Sequence, residues 1–389
     1  MSNIVKYKMN LEVLTPLHIG GADYKSRLGK KEYVFNKEEK TLTLIDNEKF
    51  VGFLIKKNLF DKYISYIENS VNAKVMIQNR NINLLNFLKA NNIDKDIKEY
   101  RKKAPIKVDM NIENMNDIKL MTRNVLGKPY IQGSSIKGAL VNFLLVDYII
   151  NNRNEFLKEK KEILSECRRA NDDRSVKNLK NEIKKIISRI EKFIIYGDNK
   201  ELEKSKKFGI SISDSYNYYD TRTNFYQDID EKRNAKTENE KNKTMPVVRE
   251  YIMVNSKFDF DITLDMDLLK ESELKIKNIN DLINSLENSV AYLINILEDK
   301  NSPRTENLIL GANTGFLQKT VVYALFEDKE ERLEVIKKLL HKSSKNAIGS
   351  HLNDKFAPRV LNRIKMGGKN QLAGLVRIKK VEEKNVGTN

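Results

Sequence analysis

The sequence predicts an α+β protein with a ferredoxin-like (RRM-type) core that carries large helical and loop insertions. Three observations lead there. Period-two apolar alternation marks strands near residues 4–14, 208–212 and 257–264. Helical spacing marks long helices near 136–148 and 279–297. With the long inserts set aside, the elements run strand, helix, strand, strand, helix, strand, the order of a four-stranded sheet with two helices on one face.

Taken in order, Val5, Tyr7, Met9, Leu11 and Val13 alternate with Lys6, Lys8, Asn10 and Glu12, so one face of the first strand is buried. Thr15-Pro16 ends it. Leu17-His18-Ile19-Gly20-Gly21 follows, where paired glycines permit a tight turn and close backbone approach. Residues 1–23 open the core, and residues 24–127 mix short strand and helix signals and read as an insertion. The core resumes over 128–150, where Gly133-Ser134-Ser135 precedes Ile136, Ala139, Leu140, Phe143, Leu144 and Tyr148 at helical spacing. Nearly half of residues 151–207 are charged, and Val176, Leu179, Ile183, Ile186, Ile187, Ile190 and Phe193 form one stripe, the pattern of a partly solvated helical insertion. From 208 to 380 the core continues. Phe208, Ile210 and Ile212 alternate in a short strand that ends at Ser213-Asp214-Ser215. Residues 216–246 are rich in Asn, Asp, Lys and Thr without a sustained apolar period and read as a mobile loop. Phe258, Phe260, Ile262 and Leu264 mark the next strand, and Ile279 to Leu297 a helix. A closing strand is expected at 372–378. The C-terminal part either completes this lobe or forms a second, degenerate ferredoxin-like lobe.

Length and charge narrow the functional classes. A chain of 389 residues can bury a large core, and the lone Cys167 allows neither an internal disulfide nor a Cys-rich zinc site. The first apolar run carries Lys6, Lys8 and Glu12, and no stretch of about 18 uninterrupted apolar residues occurs, so neither a signal peptide nor a membrane span is expected, and a cytoplasmic location is. The 71 Lys and Arg against 54 Asp and Glu leave a formal charge of +17, the sign that suits a polyanion partner. An AT-rich genome would produce the same Lys bias. Lys far outnumbers Arg, which favours phosphate contact over base reading.

Two glycine segments offer backbone amides to such a partner. At Gly133 to Gly138 a helix begins, with unpaired first-turn N–H groups, Ser134 and Ser135 as capping residues and Lys137 within the first turns. A capped helix without ligand fits the same residues. The Walker spacing is missing, so nucleotide hydrolysis is not expected. At Gly311 to Gly315, Asn313, Thr314 and Lys319 are donors and Phe316 is a stacking surface for a base; the bland alternative is a plain loop with Phe316 in the core. Catalytic groups are few. His18 could act as general acid or base in RNA cleavage, or be a packed or RNA-contacting histidine. Asp23 is a lone carboxylate, a poor metal site by itself. No metal or other cofactor is expected.

Leu14-Thr-Pro-Leu-His-Ile-Gly20, Tyr130-Ile-Gln-Gly-Ser-Ser-Ile-Lys-Gly138, Ile212-Ser-Asp-Ser215, Met245-Pro-Val-Val-Arg-Glu250 and Leu310-Gly-Ala-Asn-Thr-Gly-Phe316 stand in the order seen in the RAMP superfamily of CRISPR systems. The set most resembles the fifth-subunit family of type III-A Csm effector complexes. The resemblance implies a RAMP fold and a non-catalytic subunit that caps the end of the complex holding the 3′ part of the CRISPR RNA (crRNA). Its implied partners are that RNA, other Csm subunits (above all the repeated backbone subunit) and host nucleases that trim the RNA. It further implies that Gly133, Ser134, Ser135, Lys137 and Gly138 line the RNA path beside Gly20 and Gly21, and that Arg249 supports RNA or neighbour contact. Two rivals remain from the same superfamily: a repeat-cleaving endoribonuclease using His18, and a backbone subunit cutting target RNA through an aspartate such as Asp23.

Overall fold

A computed structural model describes residues 3–21, 26–71, 83–108, 110, 116–219, 221–233, 242–298, 305–312, 321–340, 355 and 358–385. The alternating N-terminal segment forms β1 (Ile4–Val13), which buries Tyr7, Met9, Leu11 and Val13. The insertion that follows contributes, among its described residues, β2 (Arg27–Leu28), β3 (Tyr33–Asn36), β4 (Thr41–Leu44), the helices Asn47–Lys56, Phe60–Val71, Leu84–Ala90 and Ile97–Tyr100, β5 (Ile106–Lys107) and β6 (Ile118–Lys119). Beyond the Gly133–Asn151 helix and the helical insertion come β7 (Ile210–Ile212), β8 (Tyr216–Tyr219), β9 (Thr223–Lys232), β10 (Asn242–Ile252) and β11 (Lys257–Asp265). The Ile279–Glu298 helix then leads to β12 (Leu308–Ile309), β13 (Val360–Met366), β14 (Lys369–Gln371) and β15 (Leu375–Asn385).

Among the described residues the strands form three sheets. The first runs β12-β15-β1-β11-β7, with β8 also paired to β11, and all its pairings are antiparallel. The second runs β14-β13-β9-β10-β6-β2, and the third β3-β4-β5. The C-terminal part serves two sheets: β12 and β15 extend the first beyond β1, while β13 and β14 extend the second beyond β9.

The apolar face of the first sheet, with Phe258, Phe260, Ile262 and Leu264 of β11 beside the β1 set, shares one core with Ile136, Leu140, Phe143 and Leu144 and with Leu282, Leu286, Val290 and Leu293. The Gly133–Asn151 helix is long and apolar enough to cross a membrane, yet it forms part of this core. The opposite face of the sheet is charge-balanced rather than basic: Lys6 pairs with Asp261 at 3.0 Å and Lys8 with Asp259 at 3.3 Å.

Residues 151–207 fold chiefly as the Leu157–Arg169, Asp173–Tyr196 and Lys200–Ser205 helices. A capping box opens the longest of them: Asp172 Oδ1 accepts from the Ser175 amide at 2.8 Å, and Ser175 Oγ accepts from the Asp172 amide at 3.0 Å. Its stripe joins the main core, except that Phe193 is exposed at the edge and Ile187 is half-buried.

The mobile loop expected over 216–246 is corrected. Its described residues form β8, all of β9 and the start of β10. β9 and β10 are polar yet lie inside the second sheet, β9 between β13 and β10 and β10 between β9 and β6, with Phe225, Tyr226, Ile229 and Val248 buried, while β8 pairs with β11 of the first sheet. Pro246, which has no N–H, falls where the β9–β10 register shifts, between Thr244 and Val248.

Candidate nucleic-acid interface

Backbone hydrogen bonds from three directions hold the chain leaving β1. The Leu17 amide donates to Ile252 O at 3.0 Å and the Ile252 amide returns to Leu17 O at 2.8 Å. One residue on, His18 O accepts from the Ala312 amide at 2.8 Å. That contact depends on Gly311, whose φ is +82° and where a Cβ would stand 2.2 Å from His18 O. The Thr122 amide donates to Ile19 O at 2.9 Å, and Gly20 bridges to Met121.

The helix start is fixed from another segment. The Gly133 amide donates to Asp214 Oδ1 at 2.7 Å, Ile131 N–H to Ser215 Oγ at 2.8 Å and Ser215 N–H to Ile131 O at 2.9 Å. A Cβ on Gly133 would lie 2.6 Å from the backbone of Ile212 and Ser213, so glycine is what lets strand and helix touch. The expectation that Ser134 and Ser135 cap this helix is corrected. Gln132 is the N-cap and makes no side-chain cap bond; the Asp214 carboxylate takes the first amide, a favourable place for negative charge.

Together these contacts bring Gly20, Ser134, Ser135, Gly138, Asn142 and Gly311 around one depression of about 560 Å³. Ser134 and Gly138 are exposed and Ser135 is half-buried. Lys137 is half-buried between Ile136, which faces the core, and Gly138. Gly21 is half-buried just past Gly20. Beyond Met121, Arg123 and Pro129 pair across a tight turn whose tip leaves Val125 102% and Leu126 77% exposed.

His18 is 2% exposed, with Nδ1 2.7 Å from Glu250 O. A carbonyl only accepts, so Nδ1 carries the proton and Nε2 is the bare nitrogen, lying 3.1 Å from where a Cβ on Gly20 would be. Burial pulls its pKa from 6.5 down to about 4, opposed by the Glu250 bond and aided by the charges of Arg249 and Lys119. His18 is thus a neutral, packed imidazole at neutral pH, tilted against Tyr251 at 5.7 Å. Unfolded, the ring binds a proton below about pH 6.5, whereas the folded ring resists until about pH 4. Its contribution is therefore full above pH 6.5 and is lost as pH falls towards 4. Between pH 7 and pH 5 the wild type should lose about 2 kcal/mol that His18→Gln does not. Urea unfolding at the two pH values measures this, and equal losses in both proteins would remove the assignment.

Arg249 is largely buried and held within the sheet. Its guanidinium pairs with the buried carboxylate of Asp228, which also accepts from Tyr251 OH at 3.3 Å. Its neighbour Glu250 closes the Met245–Glu250 motif, but the motif does not say what its carboxylate holds. Buried, its carboxylate accepts from Arg123 Nη2, from the Met121 amide at 3.1 Å and from Thr223 Oγ1 at 2.8 Å, tying the 121–130 segment to β10. No local pattern marks Asp214 or Glu250 as partners of segments so distant in the chain. Asp23, Asn313, Thr314, Gly315, Phe316 and Lys319 lie outside the described residues. Among the described residues, no group of three His, Cys, Asp or Glu side chains could hold a metal ion.

The RAMP superfamily profile matches residues 10–369. The chain is similar to the CRISPR system Cms protein Csm5 of Streptococcus thermophilus, 28% identical over 276 residues, which are 67% of this chain and 64% of that protein. The protein of the same name from Enterococcus italicus is 29% identical over 154 residues, 34% of this chain and 41% of the relative. Both matches span less than two thirds of the relatives' length. In fold, the chain resembles a chain of the cryo-EM structure of a type III-A Csm–crRNA–target RNA ternary complex, with a TM-score of 0.58, 16% identity and coverage of 96% of this chain and 100% of that one. It likewise resembles the crystal structure of T. onnurineus Csm5, with a TM-score of 0.53, 17% identity and coverage of 81% and 93%.

Proposed function

We propose, since this chain belongs to the RAMP superfamily, that it is an RNA-binding subunit of a type III-A CRISPR (Csm) effector complex, holding the guide RNA without cutting it. The observation that carries the reading is the depression itself, where three segments remote in sequence place Gly20, Ser134, Ser135, Gly138 and Gly311 around one open cavity. Small residues and backbone let a sugar-phosphate strand come close, and Lys137 adds positive charge at the helix start. The strand order β15-β1-β11-β7, with helices following β1 and β11, supports reading the main lobe as a ferredoxin-like core.

Burial of His18, and its hydrogen bond to Glu250, support a non-catalytic role over repeat cleavage. The proposal includes a place at the end of the complex that holds the 3′ part of the RNA, and a share in its maturation through recruited nucleases. The motif resemblance supports both. The apolar tip at Val125 and Leu126 supports contact with a neighbouring protein subunit, in keeping with a partner such as the repeated backbone subunit.

About five phosphate contacts would give a log–log salt slope near −3.5 for single-stranded RNA. Lys137→Glu should weaken binding roughly fivefold or more at 0.1 M salt, equally for unrelated RNA sequences. Filter binding across a salt series measures both, and wild-type affinity in the folded variant would sink the reading. Incubation with repeat RNA, with and without magnesium, tests the ribonuclease rival: specific cleavage lost in His18→Ala would overturn the non-catalytic role.

A further inference from the structure

β2 and β6 are only two residues long each, and their pairing sets Arg27 directly opposite Lys119. On the other side of β6, Lys119 is in register with Arg249 of β10. Residues opposite one another in adjacent strands share a face, so three cations stand in a row across the second sheet. They cannot turn away, because the alternate residues Ile118 and Val248 are buried with Phe225 and Leu42, and Leu28 packs against them. Like charges directly opposite one another destabilise a sheet. Arg249 is balanced by Asp228, but Arg27 and Lys119 are exposed, and among the described residues the charges that act on the Lys119 ammonium are the cations Arg249 and Arg27. Its ammonium pKa is lowered first by partial burial and then by Arg249 and Arg27. A row that repels itself would be stabilised by an anion seated upon it.

The position of the row indicates which anion. Two residues beyond Lys119, Met121 bridges Gly20 on the wall of the depression. His18, beside that wall, feels the charge of both Arg249 and Lys119. We infer that Arg27 and Lys119, backed by Arg249, form a second phosphate-binding site, which takes a phosphodiester of single-stranded RNA where the strand passes Gly20 out of the depression. The inference rests on reading the depression as an RNA track. The two exposed groups suit the ligand: a guanidinium presents paired N–H donors to phosphate oxygens, and an ammonium adds a point charge.

Full-length Lys119→Gln, Arg27→Gln and the double variant, with an oligouridine as probe, test the site. Each single change should weaken binding about fivefold at 0.1 M salt and take about 0.7 from the log–log salt slope; the double change should reach about 25-fold and 1.4. Melting temperatures without RNA should stay level or rise, since a repulsion has been removed. Wild-type affinity and slope in the double variant, while Lys137→Glu still weakens binding, would overturn the second site and leave the depression standing. If neither Lys137→Glu nor the double variant changes binding and both melt normally, the RNA-track reading itself fails. Intact RNA binding with loss of co-purifying protein subunits would assign the row to a neighbour's carboxylates and overturn the phosphate site.

Discussion

Gly311→Ala should lower stability by roughly 3 kcal/mol or more and widen the depression enough to weaken RNA binding. Two costs act together at that position. A φ of +82° is one that alanine adopts only at a cost of about 1–2 kcal/mol, and its Cβ would sit 2.2 Å from the His18 carbonyl oxygen, a backbone atom that cannot swing aside. Relieving such an overlap by shifting backbone costs about 1–3 kcal/mol more. The displaced contact is the bond from Ala312 N–H to His18 O, which joins two walls of the depression. Gly138→Ala is the contrasting case. A Cβ there meets nothing within 4 Å, and in a helix alanine is better than glycine by about 0.5–1 kcal/mol. Urea unfolding of the two variants should therefore move in opposite directions; a Gly311→Ala protein as stable as wild type would show that the His18 contact is not close.

Glu250→Ala should cost about 3 kcal/mol and loosen residues 121–130. Its buried carboxylate is the common acceptor for Arg123, Met121 N–H and Thr223, and deletion leaves a buried amide without an acceptor and a guanidinium without its anion. Breaking a buried ion pair typically costs about 3–5 kcal/mol, and the partial exposure of Arg123 places this one at the lower end. Hydrogen exchange should quicken at Met121 and Thr122 more than at β1, because the wall bearing Gly20 is held through them. Equal protection in both proteins would mean that Glu250 is not the tie. Glu250→Gln, which keeps the shape but not the charge, should fall between the two.

Much of the scaffold is legible in the residue pattern. The alternation from Val5 to Val13, the helical spacing after Gly133 and the stripe from Val176 to Ile190 each become the expected element with the expected face buried. Periodicity misleads at 216–246, where β9 and β10, paired on both sides, bury side chains without an apolar period. For Arg249 the motif resemblance implies RNA or neighbour contact, and nothing local in the sequence reveals that Asp228 on the next strand pairs with it.

By itself, the sequence determined which faces are apolar, where the chain can bend and what sign of charge it carries, since these depend on residue spacing of two to four places, on single glycines and prolines, and on composition. Only the tertiary structure decided that Asp214 would take the first amide of the Gly133 helix, that His18 would sit neutral against Glu250, and that Gly311 would close on His18. Those contacts join segments roughly 80 to 290 residues apart. Hydrogen bonds and close packing depend on positions in space, which local periodicity does not encode.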